Sequence, residues 1–193
     1  MKKTTEEIKQ NIISATIELI ENSNGNVDEI TTRNIADKAN VGIGLINYHF
    51  QTKDKLIEIC VQQLISYVVS SFQPQKKEYS SNKERLISWA IQVSDFLLEN
   101  PAVSRISILG DLSHYSPNNN SGNTKKGFMM AIGDDMKDEE KNLLAFTLTS
   151  TVQVAFLSRS VSKEILGYDI CSKDERDKFI SALVDMLYSG NSK

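Results

Sequence analysis

Between Ile30 and Lys55 the chain reads ITTRNIADKANVGIGLINYHFQTKDK, and few folds accommodate such a stretch. Thr31 reads as a helix N-cap, with Ile35, Ala36 and Ala39 following at helical spacing. The small side chains of Ala36 and Ala39 let another helix cross closely. Asn40 tolerates the left-handed backbone that ends such a helix. Val41 is an apolar plug. Gly42 caps a third helix, Ile43 to Tyr48, with Ile46 and Phe50 turned to the core. Helices this short are unstable alone and need a longer partner. The chain supplies one upstream. Thr4 and Glu7 form a T-x-x-E capping box, and Ile8, Ile12, Ala15 and Leu19 set the period of a helix from Thr5 to Asn22.

The same helical period recurs to the C-terminus. Thr52 caps a fourth helix, Lys53 to Phe72, with Leu56, Cys60 and Leu64 on one stripe and Ile57, Val61, Ile65, Val68 and Phe72 on a second. Pro74 ends it, and QPQKKEYSSN is a polar connector. Ser81 or Asn82 caps a fifth helix that runs to Asn100, and Pro101 opens a sixth through Leu112. SHYSPNNNSGNTKK reads as a loop, and Gly127 to Met136 as a short helix. Asp138, Glu139 and Glu140 favour the start of a long helix reaching Leu166, stopped by Gly167. A last helix covers Lys173 to Tyr188. Only three prolines occur, all at apparent breaks, so the fold class is all-α. The organisation expected is an N-terminal three-helix helix-turn-helix domain, 1–52, and a C-terminal helical bundle, 53–193.

Composition excludes several functions. A net charge of −3 argues against a protein that coats nucleic acid through overall charge, but leaves room for a local basic face. The two histidines, His49 and His114, lie in unrelated segments. No nucleophile elbow, Gly-rich phosphate loop or metal-ligand spacing occurs, so neither an enzyme nor a cofactor or metal site is expected. Cys60 and Cys171 both sit in apolar helical patterns and are expected as small buried hydrophobes. MKKTTEEIKQ has no apolar signal-peptide core, so the cytoplasm is the expected compartment. The uncharged run from Asn142 to Ser158 nears spanning length, but its Thr, Ser, Asn and Gln suit burial between protein surfaces, and no membrane association is expected.

The pieces TTRNIADKANV, G-x-G-x-x, YHF and TKDKL together resemble the DNA-binding domain of TetR-type (tetracycline-repressor-like) bacterial transcription regulators. The resemblance covers Ile8 to Ile65. It implies phosphate contacts at Thr32, Tyr48, His49 and Lys53. Thr32 offers a hydroxyl where free backbone N–H groups attract anions, Tyr48 and His49 are donors, and Lys53 adds charge. Arg33 can reach a phosphate or a base edge. Base reading falls to Ile43, Gly44, Leu45 and Asn47: Asn pairs with adenine, Ile43 and Leu45 can touch thymine methyls, and Gly44 permits close approach. The family pattern has an aromatic where this chain has Asn47, so base and phosphate are both open to that side chain. Within 31–55, four cations (Arg33, Lys38, Lys53, Lys55) face two carboxylates (Asp37, Asp54).

The resemblance also implies a homodimer on a double-stranded, palindromic DNA operator. Two recognition helices then enter successive major grooves roughly 34–36 Å apart. Leu144, Leu148, Val152 and Ala155 form one stripe of the long helix, and Leu143, Val154, Leu157, Val161 and Ile165 form another. One of the two faces serves the subunit's own core and the other a partner. Trp89, Phe96, Met129, Phe146, Gln153 and Phe156 are the candidates to line a pocket for an unidentified small-molecule effector. Asp95, on an otherwise apolar face, is expected to be paired or at a rim. The function expected is a ligand-responsive regulator acting as a repressor, released when the ligand shifts the fourth helix and separates the heads. A helical interaction or adaptor protein with a vestigial head is the alternative.

Overall fold

The computed structural model describes residues 4–71, 78–134 and 136–189. Among these residues helices account for the regular structure and no strand occurs. The chain divides into two compact units: Met1–Gln75 with Pro101–Ser107, and Lys76–Asn100 with Ile108–Lys193.

The first unit is built on α1 (Thr5–Asn22), α2 (Thr32–Ala39), α3 (Ile43–Phe50) and α4 (Lys53–Ser71). The capping box forms: the Thr4 N–H donates to Glu7 Oε2 at 2.6 Å, and the Glu7 N–H to Thr4 Oγ1 at 3.2 Å. Thr31 caps α2 through the Asn34 N–H. Asn40 ends α2 at φ 53° and ψ 51°; the Val41 N–H reaches back to the Ala36 carbonyl and the Asn40 N–H to that of Asp37. This pairing is a Schellman ending, with Asn in place of the usual glycine. The Asn11 amide donates to the Ala39 carbonyl at 2.6 Å, so α1 satisfies one of the open C-terminal carbonyls of α2. Ile12, Ile20, Ile35, Ala36, Ala39, Ile46, Leu56 and Cys60 form the core of the unit, joined by Ala102 and Val103. Ile46 and Phe50, both buried, anchor α3; full burial of one such side chain is worth about 1.5–3 kcal/mol. α3 runs two residues past the expected Tyr48. Phe72 and the first half of the connector, 73–77 with Pro74, lie outside the described residues.

The second unit holds α5 (Asn82–Glu99), the C-terminal part of α6 (Pro101–Ser113), α7 (Asn120–Ile132), α8 (Asp138–Leu157), α9 (Ser162–Leu166) and α10 (Lys173–Ser189); the first seven residues of α6 belong to the first unit. Leu86, Phe128, Leu148, Phe156 and Ile180 are central to its core. Three expectations need correction. α7 begins seven residues early, inside the expected loop, because the Asn119 carbonyl oxygen of the side chain caps it through the Gly122 N–H at 2.8 Å. A Cβ on Gly122 would lie 2.6 Å from the Pro117 oxygen, so only glycine fits this turn. The long helix does not reach Leu166. It stops at Leu157, where the Ser158 hydroxyl donates to the Val154 carbonyl and a turn of 3₁₀ helix, Arg159–Val161, leads into α9. Cys171 is exposed, because it lies in the turn before α10, whereas Cys60 is buried as expected.

The odd carboxylate of Asp95 is paired. The Arg176 Nη2 donates to its Oδ1 at 2.7 Å, and Lys173 Nζ lies 3.1 Å from its Oδ2. Arg176 also donates to the Ile170 and Cys171 carbonyls, at 2.8 and 3.4 Å. α5, α10 and the turn before α10 are thus held together by one guanidinium.

Candidate nucleic-acid interface

The expected DNA contacts fall on three adjacent pieces of the first unit: the first turn of α2, the outer face of α3 and the start of α4. With Ile46 and Phe50 inward, the helical repeat turns Gly44, Leu45, Asn47 and Tyr48 outward, and Ile43, on the side of Ile46 and Phe50, is exposed as the first residue of the helix; all five are exposed. Tyr48 is 79% exposed. Its ring meets that of His49 edge-on at 5.0 Å, and His49 in turn meets Phe50 at 6.2 Å. The core aromatic thereby props up the two expected phosphate donors. Thr32 is half-buried and Arg33 exposed in the first turn of α2.

The turn from α3 to α4 is tight. Gln51 sits at φ 67° and ψ −59°, and the Thr52 N–H donates to the Phe50 carbonyl at 2.8 Å. This is a γ-turn of the rare, strained hand. It brings Lys53 one short reversal away from Tyr48 and His49. Thr52 caps α4 through the Lys55 N–H. The γ-turn has no signal in the sequence around Gln51, and the Asn11 brace joins residues 28 apart.

The cations are more engaged than their sequence positions suggest. Lys53 Nζ donates to the Val27 carbonyl at 3.1 Å, fastening the 3₁₀ turn Val27–Glu29 to α4. Lys38 pairs with Glu18 and Lys55 with Glu58. Arg33 makes no ion pair among the described residues.

The six candidate ligand residues do not share one environment. Phe156 and Gln153 are buried, the former beneath the Arg159 guanidinium at 4.6 Å, the latter donating to the Ser121 hydroxyl at 2.8 Å. Ser121 is held in turn by Asp111, which accepts from its N–H and its hydroxyl at 2.7 Å each. Trp89, Phe96 and Met129 pack half-buried on the same core. Phe146 lies apart, exposed on α8 with its ring 6.5 Å from that of Tyr115. An open depression of about 460 Å³ lies along α4, lined by Lys55, Glu58, Ile59, Gln62, Gln63 and Ser66; none of the six borders it. Among the described residues no helix is long and apolar enough to cross a membrane, and no cluster of potential metal ligands occurs.

A helix-turn-helix head with an outward third helix, carried on a helical body, defines a DNA-binding transcription regulator. Residues 12–60 match the family model for bacterial regulatory proteins, tetR family. Residues 12–60 thus carry the DNA-binding domain of that family. It is 26% identical over 105 residues to the nucleoid occlusion factor SlmA of Haemophilus ducreyi, a match that takes in 54% of this chain and 52% of that protein. The chain thus spans about half the length of the curated relative it matches. Two solved structures from Rhodococcus sp. RHA1 share the fold over nearly the whole chain. One, a TetR transcriptional regulator, is 19% identical with a TM-score of 0.57, covering 97% of this chain and 98% of its own. The other, a TetR-like transcriptional regulator, is 13% identical with a TM-score of 0.64, covering 98% and 100%.

Proposed function

We propose that this chain is a TetR-family repressor that binds a palindromic duplex operator as a homodimer and lets go when a small molecule enters the body. The functional division falls at residue 52: 1–52 read DNA, and 53–193 dimerise and sense. The observation that carries the DNA reading is the outer face of α3. It holds Tyr48 almost fully in solvent beside His49, with Thr32 and Lys53 on the flanking elements. An ammonium has three donors, so the bond of Lys53 to Val27 leaves it two for a phosphate.

The dimer reading draws on the second unit. Leu144, Leu148, Val152 and Ala155 are buried in their own core, whereas Leu143 (68% exposed), Val154, Val161 and Ile165 (56% exposed) lie open, with Met186 of α10 also exposed. Large apolar side chains left open on α8, the 3₁₀ turn, α9 and α10 support an interaction surface there. The ligand reading rests on the mixture of aromatics, Met129 and Gln153 in the body. A protein that reads chromosomal operators works in the cytoplasm, as a binding protein and not an enzyme.

An electrophoretic mobility shift on the DNA upstream of the protein's own gene tests the reading. Wild type retards that fragment and not a scrambled duplex, and Tyr48→Ala weakens the shift. Retardation of both fragments alike, or an unaltered Tyr48→Ala, counts against it. The adaptor alternative draws on the intramolecular partners of Lys38, Lys53 and Lys55, and predicts binding no tighter than to random DNA.

A further inference from the structure

The side chains on α3 limit which base edges the head can read; this inference rests on the DNA-binding reading above. At 100° per residue, with Ile46 and Phe50 inward, Gly44 and Tyr48 occupy the middle of the outward arc. Leu45 lies on one flank, Asn47 on the other, and Ile43 at the N-terminal tip, which enters the groove first in this motif. No heavy atom lies within 4 Å of where a Cβ on Gly44 would sit, so the protein itself leaves the approach to the groove floor open there.

Guanine is read in the major groove chiefly by Arg or Lys on O6 and N7, and the cytosine amino group by a carboxylate. α3 carries no Arg, Lys, Asp or Glu. Of the neighbouring cations, Lys38 and Lys55 are paired to glutamates and Lys53 is tied to the Val27 carbonyl. Arg33 belongs to the first turn of α2, off the recognition helix. What α3 does offer is apolar and amide surface. Ile43 is 44% and Leu45 38% exposed, and the Asn47 side-chain amide makes no hydrogen bond among the described residues. Thymine presents a C5-methyl group and adenine a donor and acceptor pair that a side-chain amide matches bidentately.

We propose that α3 reads A·T pairs, with Leu45 and Ile43 packing on thymine methyl groups and Asn47 pairing with adenine N6 and N7. Guanine and cytosine edges find no charged partner there, and they would leave the Asn47 amide and the two apolar side chains mismatched.

The test begins with selection from a random duplex pool by the full-length wild-type protein, followed by fluorescence anisotropy on the selected site. Thymines are then replaced singly by deoxyuridine, which removes only the C5-methyl. Losing one packed methyl weakens binding about fourfold. Leu45→Ala weakens binding to the thymine site and becomes indifferent to uracil at its partner position. Asn47→Ala loses about tenfold in affinity, and loses its preference for adenine at one position. All three side chains are exposed, so the variants keep the wild-type melting temperature, which is measured alongside. Tight selected binding that ignores every uracil, or a selected site whose major-groove contacts are G·C, overturns the assignment while leaving the regulator reading intact. Failure to enrich any sequence overturns the regulator reading and this assignment with it.

Discussion

Replacing Asp95 by alanine strands the Arg176 guanidinium. In the folded protein the Arg176 side chain is 7% exposed and that of Asp95 22%, and the two share hydrogen bonds of 2.7 and 3.3 Å. Deleting one member of a buried pair leaves the other charge uncompensated, at a cost of about 3–5 kcal/mol for full burial. Arg176 keeps the Ile170 and Cys171 carbonyls, and Asp95 is partly wet, so the expected loss is about 2–4 kcal/mol. For a chain of this size that corresponds to a melting temperature lower by about 5–12 °C. Asp95→Asn keeps the shape and one acceptor and costs about half as much. Lys173→Ala is the control. Lys173 touches the same carboxylate, but its side chain is 52% exposed, and such pairs are worth under about 1 kcal/mol. Thermal and urea unfolding followed by circular dichroism read all three variants. If Asp95→Ala melts within about 1 °C of wild type, or Lys173→Ala costs as much, the guanidinium is not the tie that holds α5, α10 and the turn together.

Three further outcomes follow from the same geometry. Glu175 accepts the Asp169 N–H and pairs with Lys163, each at 2.7 Å, and the backbone bond first, then the lysine, hold its carboxyl below the ordinary value of 4.5. A depressed folded value means stability that is full above the unfolded value and fades as pH falls through the folded one, so Glu175→Gln flattens the acid limb of the melting curve; an unchanged limb rejects the assignment. Burial pushes the Cys60 thiol up to about 12 against a small opposing effect of Thr16, while Cys171 is exposed, so a thiol reagent at pH 8 titrates Cys171 alone until the protein is denatured. Gln51→Gly relieves a positive φ and leaves stability unchanged or raises it by up to about 1 kcal/mol, whereas Gln51→Pro, forced to negative φ, lowers it; equal melting of the two variants contradicts the γ-turn.

The head was legible because its signals are local. Thr4 and Glu7, Thr31, Asn40 and Gly42 each mark a boundary by the chemistry of a cap, and Ile46 and Phe50 fix which face of α3 turns in. The body was read less well where side chains compete with the backbone. Asn119 caps α7 from within a run of asparagines that composition alone marks as loop. The apolar period of α8 continues past Ser158 to Ile165, yet the serine hydroxyl and the 3₁₀ turn break the helix there. The bond from Lys53 to Val27 joins residues 26 apart in sequence, so no pattern around Lys53 announces it. It also changes what that lysine does, from a free surface cation to one that braces the head as well.

On the proposed function, the Thr32 to Lys53 surface binds duplex DNA at a chosen site. The most direct measurement is fluorescence anisotropy with the fragment upstream of the gene and with a scrambled duplex of equal length, across a salt series. The expected result is tighter binding to the native fragment, a linear fall of log K with log salt, and a salt slope reduced by about one in Arg33→Ala. Equal, salt-insensitive affinity for both duplexes would contradict it.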